Sequence, residues 1–141
     1  MKQNTDGFVL SITSLFLFFP IIVFIYKDDN NLYETLLALL LFINILLSSL
    51  FWSNPIQNSA IHFYDGIFGK ISYFLFTIYI LFVKQVDYRF KLAFLGILIV
   101  SLTMFYQSNE HSKKEWCSKN HVLYHSIFHI LISIGSSIAF V

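Results

Sequence analysis

The histidines of this sequence fall in a pattern that could do chemistry. They recur at 121, 125 and 129, inside an otherwise apolar run that ends the chain. Residues four apart share one face of a helix, so His125 and His129 can hold one ion between them. His121 lies on the same stripe, one turn nearer the end of the run. By the helical rise, His125 and His129 sit roughly 6 and 12 Å inside it. A second group is His62 with Asp65, three residues apart and again on one face, followed by Lys70. Three neutral imidazoles with one open position are a common zinc-hydrolase arrangement. Zinc brings the pKa of bound water toward about 7, and a nearby carboxylate accepts its proton or orients it. The pattern therefore nominates His62, His125 and His129 as zinc ligands. Asp65 is the candidate catalytic group, ordering the water or joining as a fourth ligand. Taken singly, each histidine is more simply satisfied by a neighbour or by interfacial water; as a set they favour a site.

The elements that must position these residues are apolar helices. Of 141 residues, 57% are hydrophobic and 12% charged, and the mean hydropathy is +0.69. A soluble domain carries about 25% charged residues. The apolar residues come in segments near membrane-spanning length, separated by short polar clusters. The expected fold is an all-α integral membrane bundle, a single domain over 1–141 with about five transmembrane helices. These run over about 8–26, 32–52, 59–83, 90–106 and 121–141. Pro20 should kink the first, which is too long for a signal peptide and has no small-x-small cleavage site after it. Ser53-Asn54-Pro55 closes the second, because the residue before a proline resists the helical region. A polar loop is expected over 107–120. Gly66 and Gly69 would permit close helix approach, and Lys70 would snorkel or pair with an acid such as Asp65.

Five spans alternate in direction, so the third and fifth start on the same side. That brings His62 and Asp65 to a depth comparable with His125 and His129. Lysines and arginines divide evenly between the two sides: Lys2, Lys113, Lys114 and Lys119 against Lys27, Lys84, Arg89 and Lys91. The positive-inside rule therefore gives no orientation. The net charge of +1 offers nothing to nucleic acid. Cys117 is the only cysteine, which rules out an intrachain disulfide and a cysteine-based zinc site. The partner implied is the lipid bilayer.

The segment His125-Ser-Ile-Phe-His129, followed by Ile-Leu-Ile-Ser-Ile-Gly, resembles the last transmembrane helix of the CREST superfamily, the alkaline ceramidases, adiponectin-type receptors and their relatives. The resemblance implies a seven-helix bundle with zinc held by one histidine of the second helix and two of the last. A serine of the second helix and an aspartate early in the third complete that site. His125 and His129 match the last-helix pair, and Asp65, in Tyr64-Asp65-Gly66-Ile67-Phe68-Gly69, is similar to the third-helix aspartate. The chain departs from the pattern in being two helices short and in the serine-x3-histidine of the second helix. Ser48 is followed four later by Trp52, and Ser49 by Ser53. The nearest replacement ligand is His62. The implied activity is zinc-dependent hydrolysis of an amide in a lipid such as ceramide.

Other readings of the same residues stay open. Asp65, Lys70 and the histidines would also serve a metal or proton transporter or relay, although no inverted repeat is visible. Two histidines from facing helices would serve as axial ligands of a haem. A structural role, in which these polar residues bind helices together, also stays open, although interhelical hydrogen bonds in membranes average only about 0.6 kcal/mol.

Overall fold

The computed structural model describes residues 5–141; Lys2, counted above, lies outside them. Among the described residues there is no strand, so the protein is an all-α bundle. Helix α1 (Thr5–Ser14) passes through one 3-10 turn, Leu15–Leu17, into α2 (Phe18–Tyr26). Pro20 has no N–H to offer the carbonyl of Phe16, four residues back. The hydroxyl of Ser133, on the last helix, donates to that carbonyl at 2.5 Å. The expected kink is thus a local tightening of the helix, satisfied from outside.

The chain continues through α3 (Leu32–Ser53), α4 (Ala60–Ile78, closed by a π turn over Tyr79–Val83) and α5 (Tyr88–Lys114). It ends in α6 (Lys119–Ser137), which closes in a 3-10 turn over Ile138–Phe140. Five helices are long and apolar enough to cross a membrane: Gly7–Tyr26, Leu32–Ser53, Ala60–Val83, Tyr88–Lys114 and Lys119–Phe140. Large apolar side chains such as Phe63, Phe74, Phe82 and Ile99 are exposed on the outside, where lipid would receive them.

One boundary differs from the sequence reading. The fourth long helix runs on to Lys114, through residues expected to form a loop. The segment 107–114 is polar but holds no helix breaker, and His111, Lys113 and Lys114 in its last turn complement the helix dipole. At 27 residues the helix is roughly 40 Å long, more than a hydrocarbon core of about 30 Å.

The packing is uneven. α6 lies along α5 and against α1 and α2, and α3 packs on α1 and α4. α4 leans on α3 and leaves a gap toward α5 and α6. Tyr73 bridges that gap, its hydroxyl donating to the carbonyl of Leu98 at 3.1 Å and lying 2.9 Å from Ser101 Oγ. Where helices do meet closely, a small residue allows it: a Cβ on Gly135 of α6 would stand 3.2 Å from Ile97 of α5. Gly66 and Gly69 behave otherwise. A Cβ on either meets nothing within 4 Å, so they keep a space open and do not bring helices together.

At the end of the bundle where α3 begins, Glu34 is fully buried and saturated. Lys27 Nζ donates to both its oxygens at 2.8 and 2.9 Å. The Tyr79 hydroxyl donates at 3.0 Å, Lys84 Nζ also donates, and the backbone N–H of Asn31 completes a capping box. Burial holds Lys84 below the ordinary lysine range. Burial also works against Lys27, but the carboxylate of Glu34 wins and raises it.

Candidate functional site

The gap beside α4 is a cavity of about 260 Å³. Its walls are mostly apolar, and its polar groups come from different helices: Ser48 of α3, Asp65 and Tyr73 of α4, and His125 and His129 of α6. Gly66, Gly69 and Lys70 also line it. Ser48 Oγ donates to Asp65 Oδ1 at 2.7 Å, which holds the carboxylate by one oxygen. One turn away on α3, Asn44 bonds the hydroxyl of Ser72 across the same α3–α4 interface.

The two chamber histidines are set by hydroxyls from opposite neighbours. His129 Nδ1 lies 3.1 Å from Thr13 Oγ1 on α1. His125 Nδ1 lies 3.0 Å from Ser108 Oγ on α5. Their ring centroids are 4.7 Å apart with planes at 82°. In each, Nδ1 is engaged and Nε2 is the nitrogen left over, as in metal-binding imidazoles steadied by an outer partner. These hydroxyls were beyond the sequence reading. Ser108 fell in an expected loop, and Thr13 is an ordinary helix residue more than a hundred positions from its partner.

Two of the other helical histidines, His62 and His121, have a different job, and they share it. α4 and α6 both begin with Ser-x-x-His. Ser59 accepts from the N–H of His62 at 3.2 Å, and Ser118 from the N–H of His121 at 3.3 Å. In return His62 Nδ1 accepts from the N–H of Asn58 at 3.0 Å, and His121 Nδ1 from that of Cys117 at 3.1 Å. Asn58 and Cys117, each just before the serine, have φ of 61° and 57°. This is a capping-box logic with imidazole in the place of glutamate. The signal was in the sequence, as two Ser-x-x-His at two helix starts.

His62, expected among the metal ligands, is therefore not in the chamber. α4 carries it one turn out from Asp65, to the level where α3 ends. There its ring stacks on Phe51 (4.7 Å, 6°) and meets Trp116 at 5.2 Å. It lines a separate surface cleft with Asn58, Phe63, Gly66, Ile67 and Lys70. His121 is buried against Trp116 and Trp52. Beside His125, at 5.1 Å between rings, is Trp52, the residue that follows Ser48 by four. Its indole Nε1 is buried without a hydrogen-bond partner among the described residues. Among the described residues, no three His, Cys, Asp or Glu side chains form a group that could hold a metal ion. Asp65 and Lys70 form no ion pair, since Asp65 turns to Ser48.

No family model, no curated protein and no solved structure matches the chain.

Proposed function

We propose that this chain is a multi-pass integral membrane protein whose chamber hydrolyses an amide in a lipid such as ceramide, with zinc as its metal. One observation carries the reading. Asp65, held by Ser48, lines the same cavity as His125 and His129, although the four residues come from three helices. Serine from the second long helix, aspartate from the third and a histidine pair from the last is also the order that the resemblance implies.

The donors fit zinc in kind. Two imidazoles with Nδ1 occupied leave two Nε2 nitrogens, the ligand type zinc takes from histidine, with the remaining positions open. His125 and His129 would hold the ion, with Asp65 on the same cavity wall to order its water. When bound there, zinc supplies Lewis acidity and a water ionised near neutral pH. Ser48 fixes Asp65 through Oδ1 and leaves Oδ2 to hold or pass a proton. Thr13 and Ser108 keep the imidazoles in one tautomer and orientation. The apolar walls exclude bulk water and receive a chain. Cavity-lining positions run from Asp65 to Thr77 on α4, roughly 18 Å of helix, and the weakly packed side faces lipid, so an acyl chain can enter sideways.

A second reading, a proton or metal relay, is favoured by the ladder His121–His125–His129, with ring centroids 5.9 and 4.7 Å apart. Both chamber imidazoles belong to α6, which favours a shared ion over axial ligation of haem from facing helices. The deciding experiment is metal analysis of the purified chain in neutral detergent, with release of fatty acid from ceramide measured alongside. Stoichiometric zinc that is lost in H125A/H129A, with activity lost in Asp65→Asn, is the expected result. A zinc-free wild-type protein that does not take up the metal overturns it, and metal or proton uptake into vesicles would then identify the relay.

A further inference from the structure

Lys70 is ten residues beyond the start of α4 at Ala60, roughly 15 Å along the axis and about half of a 30 Å hydrocarbon core. A lysine there is costly to insert and normally has a partner. Lys70 has none: among the described residues the ion pairs are Lys27 and Lys84 with Glu34, and Lys113 with Glu110. Among the described residues its ammonium makes no hydrogen bond either, and the residue is exposed.

Its surroundings are shaped for a ligand. Lys70 lines both the chamber and the surface cleft that holds Asn58 and His62. Helical side chains lean toward the helix N-terminus, so the lysine stem runs over Gly66 toward His62. Gly66 lines both spaces and offers no side chain, with nothing within 4 Å of where a Cβ would stand. His62 has its Nδ1 taken by Asn58, leaving Nε2 for the cleft. The cleft is thus an open groove with a cation at its inner end, a polar wall at its outer end, and a connection to the acyl-sized chamber.

We infer that this groove binds the anionic group of a single-chain amphiphile, a carboxylate or phosphate paired with Lys70, while the chain lies in the chamber beside α4. This rests on the membrane reading above and is independent of the metal. The bilayer supplies the missing counter-charge, and charge-assisted hydrogen bonds to an ammonium are the strong ones.

The test uses the full chain in uncharged detergent, with the fluorescence of Trp52 and Trp116 as reporter. Trp116 stands 5.2 Å from His62. The probes are oleate, oleoyl lysophosphatidate and mono-oleoylglycerol, which differ only in the head. Either anion should bind about tenfold more tightly than the neutral lipid, and whichever binds better names the group. Lys70→Met should abolish the preference and Lys70→Arg keep it. Gly66→Leu, which has room to fold, should weaken both anions. H125A/H129A should keep the preference, so loss of the zinc reading leaves this one standing. Equal binding of charged and neutral probes by wild type, or undiminished anion binding by Lys70→Met or Gly66→Leu, overturns the inference.

Discussion

Both ends of the bundle bury charge-bearing side chains, and they treat them in opposite ways. At the start of α3 every valence is used. Glu34 accepts from Lys27, Lys84, Tyr79 and the Asn31 backbone, and Asn31 Nδ2 ties back to the Tyr79 hydroxyl at 3.0 Å. In the chamber each group is tied once and left once. Asp65 is bound through one oxygen, and His125 and His129 through one nitrogen each. A saturated network fixes a fold, because its members have nothing further to bond. Half-used donors around a space are held in place and can still bind something. The same contrast separates the histidines: His62 and His121 close helix ends, while His125 and His129 face the cavity.

The contrast can be broken first at its rigid end. Glu34→Gln removes the charge on which two ammonium groups depend. Breaking a buried pair costs about 3–5 kcal/mol, so thermal unfolding in detergent should show a large loss of stability. An unchanged unfolding curve would mean that the network is ornamental. The contrast can be sharpened at the chamber by Trp52→His, which sets an imidazole four residues after Ser48 and beside His125. Loss of a mere outer-shell partner costs a metal site 10–100-fold, so an added ligand should strengthen zinc retention against a chelator by about tenfold or more. No gain would show that the α3 position does not reach the ion. The mildest change is Thr13→Val, which removes one interhelical hydrogen bond. It should cost about 0.6 kcal/mol of stability yet slow the proposed ceramide hydrolysis by freeing the His129 ring, and a fall in stability without a fall in that turnover would make Thr13 purely structural.

Much of the fold was legible because hydropathy is local: each run long enough to cross a bilayer became a helix, and Ser53-Asn54-Pro55 ended one where expected. The polar end of α5 was misread because polarity alone does not stop a helix. Asp65, His125 and His129 could be nominated because helical period places them and lipid makes them costly. The third imidazole could not be assigned that way. His62 has the right type and helix face, but it stands one turn out from Asp65, where its contacts with Phe51, Trp116 and Asn58 give it a capping role.

What the sequence alone determined is which segments are helices and which faces carry ionisable groups, since both follow from residues a few positions apart. Which of those groups remain open to a ligand was decided by the tertiary structure. That depends on partners tens of residues away, such as Ser48 for Asp65, Thr13 for His129 and Lys84 for Glu34. It depends also on α4 standing off from α5 and α6, because a cavity is a property of how helices pack and no single helix carries it.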